Sequence, residues 1–171
     1  MNILGLPGIN PVTEQWLKSL LDAVDLNQSE TVIQRYRCWS LPGTGLDLET
    51  EAAIAAQAKP DTVIAKSIGT RVALSAFTKG LLSAKAYIFL GIPLRGCVDG
   101  DISALQMMCN NVPILLIQQT NDPAGSFSEL SSLVPVSPTC KTSEIPGNDH
   151  RYGNIKQLKQ IIESWYSGIG S

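Results

Sequence analysis

The feature that most constrains this chain is an alternation. Short, almost wholly apolar runs give way repeatedly to longer stretches in which apolar residues recur every three or four positions. A short run with little polar alternation reads as a strand covered on both faces, and the longer stretches read as amphipathic helices. Strands of that kind joined by helix-length connections are βαβ units, which build a parallel sheet between layers of helices. An apolar share of 44% and a charged share of 16% suit such a buried sheet and exclude a disordered chain.

Residues 2–6, 62–66, 86–90 and 112–118 are the clearest strands. The β-rich run 31–39 and the proline-bearing run 135–141 add one each, the latter at a sheet edge, where proline is tolerated. Helices are expected over residues 14–24 with Thr13 as cap, over 47–59 up to Pro60, and over 69–82. Further helices are expected around 102–109, over 127–133 and over 154–166, with turns such as Leu41-Pro42-Gly43-Thr44-Gly45 between elements. With 171 residues and no repeat, linker or low-complexity tract, the expected organisation is one domain over residues 1–171. Its class is α/β, a three-layer sandwich with about six parallel strands and helices on both faces.

A formal charge of −2 gives no reason to expect nucleic acid or an anionic membrane as partner. No run approaches the roughly 20 apolar residues that cross a bilayer. Met1 to Gly8 has no basic leader and is interrupted by Pro7 and Gly8, so a cytoplasmic location is expected. Cys38, Cys97, Cys109 and Cys140 lack the spacing of a zinc or redox motif and read as small buried hydrophobes. A single histidine excludes a His-rich metal centre, and neither G-x-G-x-x-G nor a Walker pattern is present. No metal or cofactor is expected.

In open parallel sheets ligands gather at the carboxyl ends of the strands. There, Lys66-Ser67-Ile68-Gly69 joins a strand to a helix without a spacer. So tight a turn strains its central residue and needs small neighbours, and Ala65-Lys66-Ser67-Ile68-Gly69 approximates the elbow G-x-S-x-G with Ala for the first Gly. Ser67 is the candidate nucleophile; the plain alternative is that it caps the helix. Serine needs a base to take its proton, and His150, in the loop between the last strand and the last helix, is the one histidine available. The resulting imidazolium needs a carboxylate. Asp122, just beyond the strand 112–118, ranks above Asp149, Glu144, Asp99 and Asp101, although Asn-Asp-Pro also makes Asx-turns. Two N–H donors must face a developing oxyanion. Ile68 would supply one and Leu6, in the loop after the first strand, the other, since Pro7 has no N–H.

Taken in chain order, the Gly/Pro loop, Ala-Lys-Ser-Ile-Gly, Asp122 and Gly-Asn-Asp-His150 resemble the α/β-hydrolase fold family, in which the order Ser, Asp, His is distinctive. The short chain looks like the small single-domain serine hydrolases of the retinoblastoma-binding-protein-9 type. That resemblance implies a minimal α/β-hydrolase fold with sheet order 2-1-3-4-5-6. It also implies esterase-type hydrolysis of a small or medium acyl substrate through an acyl-enzyme. The competing expectation is a binding or interaction protein that keeps the fold with weak or no chemistry. Leu94, Met107 and Met108 are candidate pocket walls, and Lys66 and Arg71 read as solvated charge in preference to anion-binding groups.

Overall fold

The computed structural model describes residues 1–27, 30–41 and 43–169. Pro42, within the expected turn, lies outside the described residues. Among those described, six strands form one sheet: β1 (Asn2–Leu6), β2 (Glu30–Ile33), β3 (Thr62–Lys66), β4 (Ala86–Leu90), β5 (Ile114–Gln119) and β6 (Cys140–Ile145). Every neighbouring pair is parallel and the order is β2-β1-β3-β4-β5-β6, as the resemblance implied. The helices are α1 (Val12–Ala23), α2 (Leu48–Gln57), α3 (Ile68–Thr78), α4 (Asp99–Asn111), α5 (Phe127–Leu133) and α6 (Ile155–Ile169).

Side chains alternate across a strand, and that period of two sorts the core into two layers. Leu4, Leu6, Val63, Ala65, Tyr87, Phe89, Ile114 and Leu116 pack with residues of α2, α3, α4 and α5 on one face. Ile3, Ile64, Ile88, Leu90, Leu115 and Ile117 pack with α1 and α6 on the other. Central strands buried on both sides explain the near-continuous apolar runs, and each large aliphatic side chain so buried contributes about 1.5–3 kcal/mol.

Two expected strands differ. β2 stops at Ile33, and residues 34–39 leave the sheet and end in a short 3-10 turn, Arg37–Trp39. The Gln34 N–H still donates to the Gly5 carbonyl, and beyond it the side chains make tertiary bonds: Gln34 reaches buried Glu51, and Tyr36 reaches Pro7. The last strand is Cys140–Ile145 and not 135–141, because Pro135 and Pro138 have no N–H for a ladder. Thr13 does not cap α1. Pro11 occupies the cap position, and the Thr13 hydroxyl turns back to carbonyls of the preceding loop. Asp47 caps α2 from outside it, and α3 ends earlier than expected, before Gly80 at φ +66. Among the described residues, no helix is long and apolar enough to cross a membrane.

Strand order reverses at β1: the chain steps from β1 out to β2, then returns to place β3 on the other side of β1. The segments leaving β1 and β3 therefore diverge and open a crevice at their carboxyl ends.

Candidate active site

Ser67 occupies the single position between β3 and α3, with φ 52 and ψ −122. That is a backbone conformation L-residues rarely adopt, and strain of this kind costs roughly 1–3 kcal/mol unless neighbours hold it. The Ser67 N–H is tied to the Leu90 carbonyl at 2.9 Å, and its carbonyl accepts from the Thr70 amide and hydroxyl. Gly69 must be glycine: a Cβ there would lie 2.2 Å from the Leu6 carbonyl oxygen. Ala65, by contrast, sits inside the ladder and is fully buried, so its methyl fits where a glycine is usual. Ser67 makes no helix-capping bond with its side chain. Its Oγ lies 2.9 Å from His150 Nε2 instead.

His150 Nδ1 lies 2.8 Å from both carboxylate oxygens of Asp122. Asp122 is 2% exposed. Burial alone would raise its pKa, but bonds from the His150 ring, from the Tyr152 hydroxyl at 2.7 Å and from the Ala124 N–H at 2.8 Å together hold it below the usual carboxylate range. A carboxylate anion facing Nδ1 requires that nitrogen to carry the proton, which leaves the Nε2 lone pair toward Ser67.

Three of the other acids are engaged elsewhere, and Asp99 is an exposed residue at the start of α4. Asp149 accepts from Gln119 and from the Arg151 N–H, Glu144 accepts from the Thr120 hydroxyl, and Asp101 pairs with Arg71 at 2.8 Å. Arg71 is thus bound in an ion pair. Lys66, expected as solvated charge, is also not free in solvent: it is 3% exposed and stands over the rings of Trp16 and Tyr152. Its Nζ donates to the His150 carbonyl at 2.8 Å. Burial depresses its pKa to about 8, against the opposing pull of Asp122 and Asp149.

Three residues that the sequence reading did not single out hold the loops together. The Tyr152 hydroxyl donates to Asp122 and accepts the Gln119 N–H at 3.0 Å. The Gln119 side-chain oxygen accepts the N–H groups of Asp149 and His150 at 3.1 and 2.9 Å. Gln118 binds Ile92 and Gly125, joining the loops after β4 and β5. His150 and Tyr152 both adopt φ 60, and the polar ends of β5 are what keep that segment in place.

A cleft of about 600 Å³ opens beside Ser67 and His150, with Gly8, Ile9, Val12, Thr13, Trp16 and Lys66 among its walls. Leu94, Met107 and Met108 do not line it. Met108 is buried under the opposite face of the sheet and Leu94 packs against that same core. Leu6 is also misplaced as an oxyanion donor. It is the last residue of β1, pairs with Ala65 in the ladder, is fully buried and does not reach the cleft. The part of the loop that reaches it is Gly8–Asn10. Ile68, at the first position of α3, carries one of the amides left without an intrahelical acceptor. A groove of about 670 Å³ between β6 and α6 shares no lining residue with the cleft. Among the described residues, no three His, Cys, Asp or Glu side chains are placed to hold a metal ion.

Residues 43–165 match the family model described as the alpha/beta hydrolase domain. The chain belongs to the α/β hydrolase family. No curated protein matches this α/β hydrolase. Solved structures do. A YdeN-like hydrolase from Pectobacterium atrosepticum is 15% identical, with TM-score 0.66, 98% of this chain covered and 91% of that one. The RedJ thioesterase from the prodiginine biosynthetic pathway of Streptomyces coelicolor is 15% identical, with TM-score 0.61 and coverage of 96% and 85%. Est816, described as an N-acyl homoserine lactone degrading enzyme, is 12% identical, with TM-score 0.63 and coverage of 96% and 92%. At such identities the likeness of this α/β hydrolase to each is one of fold.

Proposed function

We propose that this chain is a serine hydrolase of the esterase type, acting on a small or medium carboxylic ester or related acyl substrate through an acyl-enzyme. The observation that carries the reading is the hydrogen-bonded series Ser67 Oγ, His150 imidazole, Asp122 carboxylate, at 2.9 and 2.8 Å. His150 Nε2 takes the Ser67 proton as Oγ attacks the acyl carbon, and Asp122 stabilises the imidazolium that forms. The tetrahedral oxyanion is met by the Ile68 N–H, at the positive end of α3, and by an N–H of the Gly8–Asn10 segment in place of Leu6. His150 then returns the proton to the leaving oxygen, and the bond to the leaving group breaks. Water, deprotonated by the same imidazole, attacks the acyl-enzyme and regenerates Ser67.

Ile9, Val12 and Trp16 give the cleft an apolar wall suited to an acyl chain, and Ile9 and Val12 are largely exposed, so the wall is open. Of the similarly folded proteins, RedJ is named a thioesterase and Est816 an N-acyl homoserine lactone degrading enzyme, and both names concern acyl compounds. The test is labelling by a fluorophosphonate together with turnover of short-chain p-nitrophenyl esters. Wild type should label and turn over, Ser67→Ala should do neither, and His150→Ala should lose turnover, with the double variant no worse than either single one. A folded wild type that stays unlabelled and inert favours a non-catalytic binding role.

A further inference from the structure

The loop between β1 and α1 has an uncommon hydrogen-bond arrangement. Three successive carbonyls are taken up by side chains from outside the loop: Pro7 by the Tyr36 hydroxyl at 2.7 Å, Gly8 by the Thr13 hydroxyl at 3.0 Å, and Ile9 by the Trp39 indole N–H at 2.7 Å. The Thr13 hydroxyl also lies 2.6 Å from the Asn10 carbonyl, so its one proton is shared. The N–H groups of Gly8, Ile9 and Asn10, in contrast, donate to no described residue. In a planar trans peptide the C=O of one residue and the N–H of the next point in opposite directions. Tyr36 and Trp39 stand outside the cleft, so fixing the Pro7 and Ile9 carbonyls aims the Gly8 and Asn10 amides away from them. Thr13, which holds the Gly8 carbonyl between, is itself a wall of the cleft. Gly8, Ile9 and Asn10 line the cleft that contains Ser67 and His150. A run of free amides in such a concavity is an anion-accepting nest.

We propose that Tyr36 and Trp39 are positioning residues that hold the Gly8–Asn10 amides in place for the oxyanion of the Ser67 reaction. The inference rests on the hydrolase reading above. It also explains why residues 34–39 abandon the sheet: they fold over the end of β1 to grip its loop. The grip is itself anchored. Buried Glu51 on α2 accepts from the Gln34 side chain at 2.6 Å and from the Arg37 N–H at 2.8 Å, on either side of Tyr36. Tyr36 and Trp39 brace one another edge to face, with centroids 5.2 Å apart. Burial, then Glu51 and Cys38, push the Tyr36 phenol well above its ordinary range, so it stays a donor.

Tyr36→Phe and Trp39→Phe each remove one donor and keep a ring. The assay is ester turnover, with kcat expressed per active site titrated by the fluorophosphonate, so that unfolded protein does not count. Each single variant should lose about 10-fold in kcat with KM within about two-fold, and the double variant about 100-fold, close to the cost of losing an oxyanion donor outright. A merely structural role would lower the thermal midpoint and the number of titratable sites, and would leave kcat per site unchanged. Trp39 is only half-buried, so Trp39→Phe carries the test even if Tyr36→Phe does not fold. Folded variants with wild-type kcat per site, beside a wild type that labels and turns over, overturn the proposal alone. A wild type that does neither overturns the hydrolase reading and this proposal with it.

Discussion

Replacing Lys66 by Met should change how stability depends on pH, in a way that isolates one buried charge. In the folded chain Lys66 loses its proton near pH 8, because burial penalises the ammonium, against an ordinary value of 10.5. Between those values the unfolded chain holds the proton and the folded chain does not. Stability therefore rises with pH across that window and is level below it. The interval, at about 1.4 kcal/mol per pH unit, is worth about 3 kcal/mol. Lys66→Met lacks this contribution at every pH. Loss of the bond to the His150 carbonyl adds an offset, but a neutral amine still donates, so the offset does not vary with pH. Urea unfolding followed by tryptophan fluorescence at pH 7 and at pH 10.5 gives the stability difference between the two proteins. That difference should move by about 3 kcal/mol in favour of wild type, or about 6–12 °C in thermal midpoint for a chain of this size. A difference that stays constant across the window would mean that Lys66 is not held in the apolar seat between Trp16 and Tyr152, and the reasoning would fall.

Tyr152→Phe removes a donor from Asp122 and leaves the Gln119 N–H without its acceptor, for a loss of about 2–4 kcal/mol at pH 7 in urea unfolding. Because Asp122 is held below its ordinary 3.8, its stabilising bonds weaken as pH falls, and the gap to wild type should narrow below about pH 4. Gly69→Ala puts a methyl into the Leu6 carbonyl and should cost more than about 4 kcal/mol, seen as insoluble or unfolded protein by circular dichroism. Ala65→Gly, which restores the usual elbow pattern, should stay folded with a loss of about 1–2 kcal/mol. Cys109 and Cys140 bring their sulfurs to 3.0 Å across 31 positions of chain. Diamide should oxidise the pair to a disulfide that raises the thermal midpoint by about 10 °C and is absent in Cys140→Ser, as read by thiol counting and non-reducing mass spectrometry.

What was legible in the chain was whatever a local pattern enforces. Strands covered on both faces must read as apolar runs, and β1, β3 and β4 do so to the residue. A strand joined to a helix with no spacer leaves few side chains able to occupy the turn, which pointed to Ser67, and a lone histidine left no choice of base. What stayed hidden depends on pairing across distance. Leu6 ends the expected strand, yet the part of the following loop that reaches the cleft starts only at Gly8, which the run of residues does not reveal. Gln118 and Gln119 look like the solvated end of a strand and are almost fully buried, since loops from two neighbouring strands close over them. Lys66 was within reach of sequence reasoning. A residue that ends a strand buried on both faces, just before the elbow, has little solvent to enter.

The order of these parts along the chain sets when they can meet. The Ser67 hydroxyl and its imidazole partner are 83 positions apart, and Tyr152 follows the imidazole. At a translation speed of about 5–20 residues per second, the serine is made roughly 4–17 s before the group that would deprotonate it. Throughout that interval the growing chain holds no histidine at all. Under the proposed hydrolase reading, a chain with this order of parts acquires its base only just before α6 is laid down.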